Sequence, residues 1–266
     1  MGTGAEASGW LREARRAACA EPVSPRATLL LSGHPGPIGS IEPALAERLA
    51  AAGLPLARSD DAWIVAAPAQ ASLAAIARRL HDERVCSRWR DELLPVRDRS
   101  GQPLASIERS VVRALGIQTF AAHLVGSTPA GKVWLQQRAF DKATDPGAWD
   151  TLVGGLIGCD ESTDLALARE TREEAGLDLA QLESLAHVDR IAVRRPVSDG
   201  YMVEDIEVFH AVVPAGIEPV NQDGEVERFE RLDGPALHER LASGACTLEA
   251  TLILGLLLER GLIGPR

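Results

Sequence analysis

The sequence predicts an α/β (α+β) protein in two parts, a small α/β N-terminal domain over residues 1–110 and a larger domain over 111–266. Three observations predict it. Strand-like and helix-like runs alternate along the chain, which is the texture of layered α/β architectures. The pattern changes at Ile117, where two apolar strand-like runs are joined by a short turn. One later helix carries a dense set of carboxylates that needs a chemical reason.

Length and composition set the outer limits. The 266 residues, 45% hydrophobic and 25% charged, suffice for one large core or two small ones. A net charge of −10 argues against a nucleic-acid partner, which normally meets a basic face. Phosphate ligands stay open, because divalent cations reverse a local field. Cys19, Cys86, Cys159 and Cys246 are scattered and form no CxxC pair, a pattern of free thiols in a reducing compartment. The most apolar run, "TLILGLLL" at 251–258, is far short of the ~18–20 residues that cross a bilayer. The opening "MGTGAEASGWLREARRAACAEP" lacks the apolar centre of a secretion signal. A cytoplasmic protein without a membrane partner is expected.

Within the first part, "SGWLREARRAACA" reads as a helix, and the Pro/Gly-rich passage after it excludes long helices. "PALAERLAAAG" reads as a helix ended by Gly53, available for a left-handed cap. "DAWIVAA" reads as a strand and "SLAAIARRLHDERV" has the helical period. The boundary is placed near Pro103–Ser110, with "SIERSVVRALG" as a connecting helix. In the second part, "IQTFAAHLVG" and "KVWLQQRA" form a hairpin around "STPAG". "FDKATDPGAWD" is a loop, "SLAHVDRIAV" and "EDIEVFHAVV" are strands, and "NQDGEVERFERL" is an acidic loop. "PALHERLASG" and "LEATLILGLLLERG" close the chain as helices.

The carboxylate-rich helix spans about Asp164 to Ala175 and stops at Gly176. With Leu165 at zero, Leu165, Ala168, Thr171 and Ala175 are assigned to the inward side. Glu173, Glu170 and Glu174 then fall at roughly 80°, 140° and 180° on one patch. A solvated acidic face is one reading, since such repulsion is mild in water. A hard-cation site is the other, since Mg²⁺ takes oxygen ligands.

The frame around these residues decides between them. Gly155 is followed by five residues and Glu161, then seven residues, Arg169-Glu170, Glu173-Glu174 and Gly176-Leu177. This resembles the G-x5-E-x7-R-E-U-x-E-E-x-G-U signature of the Nudix hydrolases, where U is apolar; the one departure is Thr171 at the first U. The resemblance implies an α/β/α sandwich with a mixed sheet, and Mg²⁺ or Mn²⁺ held by Glu170, Glu174 and Glu173 with the Gly155 carbonyl. It implies that Arg169 fixes a glutamate and that Glu161 braces the loop–helix corner, although direct metal contact by either stays open. The implied reaction is hydrolysis of a small organic diphosphate, with Glu173, Glu174 and Arg169 in the catalytic set. For the general base, Glu225 is the first choice in the later acidic loop and Glu227 the second.

The flanks narrow the branch. "KVWLQQRAFDKATDPGAWDTLVGG" also resembles isopentenyl-diphosphate isomerases, but Gly154 and Leu156 stand where those enzymes carry a catalytic cysteine and a histidine. "PIGSIEPALAERL", "WRDELLPVRD" and "SIERSVVRALGIQTFAAHLVG" resemble Nudix proteins related to thiamine pyrophosphokinase, which have an N-terminal domain of uncharacterised function. That implies thiamine diphosphate or its oxo and oxy analogues as substrates. Arg138 and Lys142 are candidates for phosphate contact, Trp149 for stacking and His123 for a polar contact, each with a plainer structural role beside it. Arg194 and Arg195 could meet phosphate or simply solvate a loop. A Nudix-fold binding module without turnover is the rival from another class. For the N-terminal region, capping the pocket, mediating a homodimer and completing the core all stay open.

Overall fold

The computed structural model describes residues 8–86 and 88–264; residues 1–7 of the opening stretch lie outside them. Helix α1 (Gly9–Ala17) comes first, with Leu11 and Ala14 on its buried stripe. It is followed by β1 (Ala27–Leu31), β2 (Pro37–Ile41), α2 (Pro43–Ala51), β3 (Leu56–Ser59), β4 (Ala62–Val65) and α3 (Ala69–Asp82). These strands form a sheet of order β2-β1-β4-β3 with β1 and β4 parallel. Pro43 opens α2, where a missing N–H costs nothing. Gly53 follows that helix in the left-handed conformation, as expected for its cap. A two-stranded ribbon, β5 (Leu93–Arg97) and β6 (Pro103–Glu108), leads out of this layer.

The second part is built on β7 (Thr119–Ser127), β8 (Val133–Arg138), β9 (Trp149–Asp150), β10 (Val153–Leu156), α4 (Thr163–Ala175), β11 (Glu183–Val197), β12 (Gly200–Val212) and β13 (Val226–Leu232), closed by α5 (Gly234–Ala242) and α6 (Leu248–Glu259). The mixed sheet runs β11-β12-β7-β8-β13, with β10 paired to β7 and β9 to β8. Strand β7 is parallel to β12 and antiparallel to β8 and β10. Both its faces are covered, so it is buried almost throughout. Ala121 and Val125 pack into the core that contains α5 and α6. Ala122 and Leu124 pack into the opposite core with Leu167 and Ala175 of α4. This gives the helix–sheet–helix layering expected from the sequence.

Packing does not follow chain order. Ala14 and Ala18, from the first helical segment, sit in the core of α6. A side chain at Gly255 of α6 would overlap Leu11 of α1, so the glycine is what lets the two helices close. The core of the N-terminal sheet meanwhile extends to Ile117.

Three local expectations are corrected. Ser106–Glu108 ends strand β6 and Arg109–Val111 is a single 3₁₀ turn, so no connecting helix forms there. The β6 residues pair with β5 instead, a tertiary contact that outweighs helical preference. Val226–Leu232, read as loop, is a strand on the far edge of the mixed sheet, paired with β8. Finally, Leu165 is 60% exposed, while Leu167, Thr171, Glu174 and Ala175 point inward. The inward arc therefore includes a carboxylate, which a hydropathy pattern cannot show.

Candidate active site

Helix α4 starts where Ser162 accepts from the Leu165 N–H at 3.2 Å and ends at Gly176, whose φ of 63° is left-handed. The Leu177 N–H returns to the Thr171 carbonyl at 3.2 Å, satisfying an end group of the helix. Thr171, the departure from the signature, donates its hydroxyl to the Leu167 carbonyl at 2.6 Å. That local bond lets a polar residue stand at a fully buried position.

Arg169 organises the corner. Its guanidinium grips both Glu161 oxygens, Nε to Oε1 at 2.6 Å and Nη2 to Oε2 at 2.9 Å. Nη1 donates to Glu170 at 2.8 Å and Glu173 at 3.0 Å, and Nη2 to the Leu156 carbonyl at 3.2 Å. Only a planar fork of donors serves this many acceptors at once. Glu161 also accepts from the Gly158 N–H at 3.0 Å, tying the loop to the helix. The Arg169 bond holds the Glu161 carboxyl below its usual range despite partial burial.

The glutamates separate by depth. Glu170 and Glu173 line a cavity of about 780 Å³. Glu174 lies behind them, 1% exposed, and accepts from Gln136 Nε2 and the Gly154 N–H, both at 2.9 Å. Burial raises the Glu170 carboxyl, with Arg169 opposing. It pushes Glu174 up to about 8, with Lys142 opposing at 3.7 Å. A group whose folded pKa lies above its ordinary value holds an extra proton in the folded state. The contribution of Glu174 to the stability of the metal-free protein is therefore expected to be fully present below about pH 4.5 and to be lost as pH rises towards 8. The loss should be on the order of a few kcal/mol. Denaturant titrations across this window should show a flatter profile for Glu174→Gln; an unchanged slope would refute the assignment.

Glycines make room for this chemistry. A side chain at Gly155 would overlap the Glu170 carboxylate, and one at Gly154 would overlap the His123 ring. Strand β10 is thus bare on both faces where the cavity passes it. Oxygen donors alone gather on the α4 side, the donor set that suits hard divalent cations. Glu170, Glu173, Glu174 and the Gly155 carbonyl are the groups that would hold such ions. Among the described residues no three acidic, histidine or cysteine side chains converge on one point. Arg169 and Lys142 stand among the carboxylates and supply positive charge there.

Of the remaining residues read from the sequence, Arg138, Lys142, His123 and Glu225 all line the cavity. Arg138 donates to the Thr144 carbonyl at 3.0 Å and approaches Asp150 at 3.4 Å. Lys142 contacts Glu225, and although burial pushes that carboxyl up, Lys142 brings it below its ordinary range. Trp149 is corrected: it is 5% exposed in the α6 core, with Arg240 4.1 Å from its ring centre and Arg228 at 5.3 Å. Successive strand residues face opposite ways, and it is Asp150 that meets the cavity. Glu227 is also corrected, since an irregularity between Val226 and Arg228 leaves it exposed and away from the cavity. Arg194 and Arg195 lie on β11 rather than in a loop; Arg194 pairs with Asp205 at 2.5 Å, and Arg195 reaches the cavity.

The N-terminal part supplies a wall that the sequence reading missed. Arg88, Arg90, Arg109 and Arg113 face the same cavity. Arg109 is paired with Glu92 at 2.7 Å and Arg113 with Asp199 at 3.4 Å. The signal was present as basic residues clustered between 88 and 113 in a chain of net charge −10.

Known proteins place this arrangement. The NUDIX domain family matches residues 119–244. Nudix hydrolase 20, chloroplastic, of Arabidopsis thaliana is 29% identical over 171 residues, covering 60% of this chain and 44% of the plant protein. The chain thus spans less than half the length of that relative. Isopentenyl-diphosphate Delta-isomerase of Rhodobacter capsulatus is 31% identical over 143 residues, covering 53% of this chain and 76% of the isomerase. Among solved structures, DR0079 of Deinococcus radiodurans shares the fold with a TM-score of 0.50 and 22% identity, over 64% of this chain and 98% of that one. With the signature helix, the layered mixed sheet and these matches together, the chain belongs to the Nudix superfamily, with its domain at residues 119–244 preceded by an additional N-terminal region.

Proposed function

We propose that the protein is a divalent-metal-dependent pyrophosphohydrolase acting on a small organic diphosphate, with thiamine diphosphate or its oxo and oxy analogues as the substrate class. The observation that carries the reading is that Arg169 holds Glu161, Glu170 and Glu173 in one bonded unit against a large polar cavity, with Glu174 buried behind them on Gln136 and the Gly154 N–H. Mg²⁺ or Mn²⁺, when bound, would neutralise phosphoryl charge and lower the pKa of attacking water. Arg169 keeps Glu170 and Glu173 oriented, and Glu161 fixes Arg169 in turn. Lys142, beside Glu174 and Glu225, and Arg138, near Asp150, offer positive charge to the diphosphate within the same cavity. Glu225, on the exposed rim, takes the proton of the attacking water. Its low pKa in the free protein comes from Lys142, a contact that a bound phosphate would compete for.

The isomerase reading finds no support at the decisive position. Gly154 stands where the cysteine would be, and the space a side chain needs there is filled by His123. A pure binding module would have no use for this crowding of carboxylates. The test is release of phosphate or monophosphate from thiamine diphosphate, its oxo and oxy forms, ADP-ribose and dinucleoside polyphosphates, with Mg²⁺ or Mn²⁺. Metal-dependent cleavage of the thiamine compounds is expected. Turnover of ADP-ribose alone would overturn the substrate class, and no turnover at all would overturn the reaction.

A further inference from the structure

The cavity does not end at the signature helix. It continues past the bare glycines of β10 to the α6 side of the sheet, where Arg195, Met202, Glu204 and Glu249 line it beside His123 and Asp150. Glu249 lies in the first turn of α6, whose N-cap is Thr247. It is 9% exposed, its Oε1 has no hydrogen-bond partner, and its nearest cation is Arg195 Nη2 at 3.5 Å. Arg195 Nε is likewise without a partner. A buried carboxylate oxygen left unbonded is costly, and such exceptions call for a reason.

The neighbours make the recess rich in acceptors. Glu204 accepts from Thr119 at 2.7 Å, and Asp150 accepts from the Thr151 N–H at 2.8 Å. The Thr151 hydroxyl donates to the Val153 carbonyl at 2.9 Å, so its contact with His123 Nδ1 at 2.9 Å requires the proton on that nitrogen. Burial lowers the His123 pKa, with Asp150 and Glu204 opposing, so the ring is neutral and Nε2 is an acceptor. Three buried carboxylates and an imidazole acceptor thus face two guanidiniums, those of Arg138 and Arg195. An apolar group entering here would strand these acceptors without water. A group that brings N–H donors or positive charge would satisfy them.

We propose that this recess holds the organic end of the substrate, and that Glu249 recognises there an amino-substituted or cationic nitrogen heterocycle. The inference rests on the hydrolase reading only for the diphosphate end of the molecule. Burial, opposed by Arg195, pushes the Glu249 carboxyl up to about 7, consistent with a group awaiting a partner. Glu249 is accordingly a specificity residue, remote from the carboxylates of α4.

The test separates recognition from turnover. Thiamine and adenosine, which carry amino-substituted rings and no phosphate, are titrated calorimetrically into the intact metal-free protein, with isopentenol as the apolar control. At least one of the two bases should bind, isopentenol should not, and Glu249→Gln should weaken the base about tenfold. Glu249→Asp, which keeps the charge, should recover part of that loss. Melting temperature of Glu249→Gln should not fall, because the substitution removes a buried unpaired carboxylate. In Mg²⁺-dependent assays the same variant should raise KM for the bound base's diphosphate about tenfold, leave kcat within about twofold, and leave methyl diphosphate unaffected. Base binding that depends on Glu249 without any turnover would sink the hydrolase reading and keep the recess. Turnover with equal effects of Glu249→Gln on both diphosphates, or no binding of either base, would sink the recess.

Discussion

Glu170→Gln is expected to lower Mg²⁺-dependent turnover by at least about 100-fold while leaving the fold intact. The side chain keeps its size, and the Arg169 Nη1 contact at 2.8 Å has an acceptor oxygen in glutamine as well. What disappears is one negative charge on the cavity face of α4, where a divalent ion would be held. The loss should appear in kcat under saturating substrate, and raising Mg²⁺ should recover part of it. Wild-type turnover in the variant would remove Glu170 from the site. The unfolding midpoint should move little, because burial of the carboxyl is itself unfavourable in the metal-free protein.

Gly155→Ala should be as damaging, for a steric reason. An added methyl would coincide with the Glu170 carboxylate and also crowd its Cγ, so the whole end of that side chain must leave. A rotamer change costs about 1 kcal/mol, which the fold tolerates. The site does not tolerate it, because Glu170 would lose both its place at the cavity and its bond to Arg169. We expect turnover to fall by about 100-fold or more with a melting temperature within a few degrees of wild type. Full activity in this variant would show that Glu170 works from a different rotamer.

The sequence made the site more legible than the fold around it. The resemblance carried by Gly155 to Leu177 pointed to the glutamate helix and left Glu161 and Arg169 open between bracing and metal contact; the structure bonds those two to each other within this local stretch. The long, periodic helices α2, α3, α5 and α6 were equally readable. Short strands were not. β3, β5, β6 and β9 exist through pairing with partners elsewhere in the chain, and a single sequence does not display partners. The inward face of α4 was misassigned for a related reason. Glu174 is buried because Gln136 and the Gly154 N–H meet it there, and both come from other strands. The acceptors of the α6 recess, Asp150, Glu204 and Glu249, sit far apart in the chain and converge only when the sheet is assembled.

The docking of α1 on α6 changes what the two halves mean for biosynthesis. A helix translated before the N-terminal sheet finds its apolar partners in the last two helices, where Leu11 meets Gly255 of α6 and the Trp10 ring stands 5.9 Å from that of His238 in α5, next to an ion pair between Arg15 and Glu259 at 2.5 Å. In topology the N-terminal sheet is thus looped out between two pieces of the same core. While the chain emerges from the ribosome, Leu11 and Ala14 remain solvated until nearly everything else has been made, and the small sheet can fold in the interval. Removing α1 would uncover the face of α6 that Leu11 covers, so the outer layer of the mixed sheet depends on a helix from the other end of the sequence.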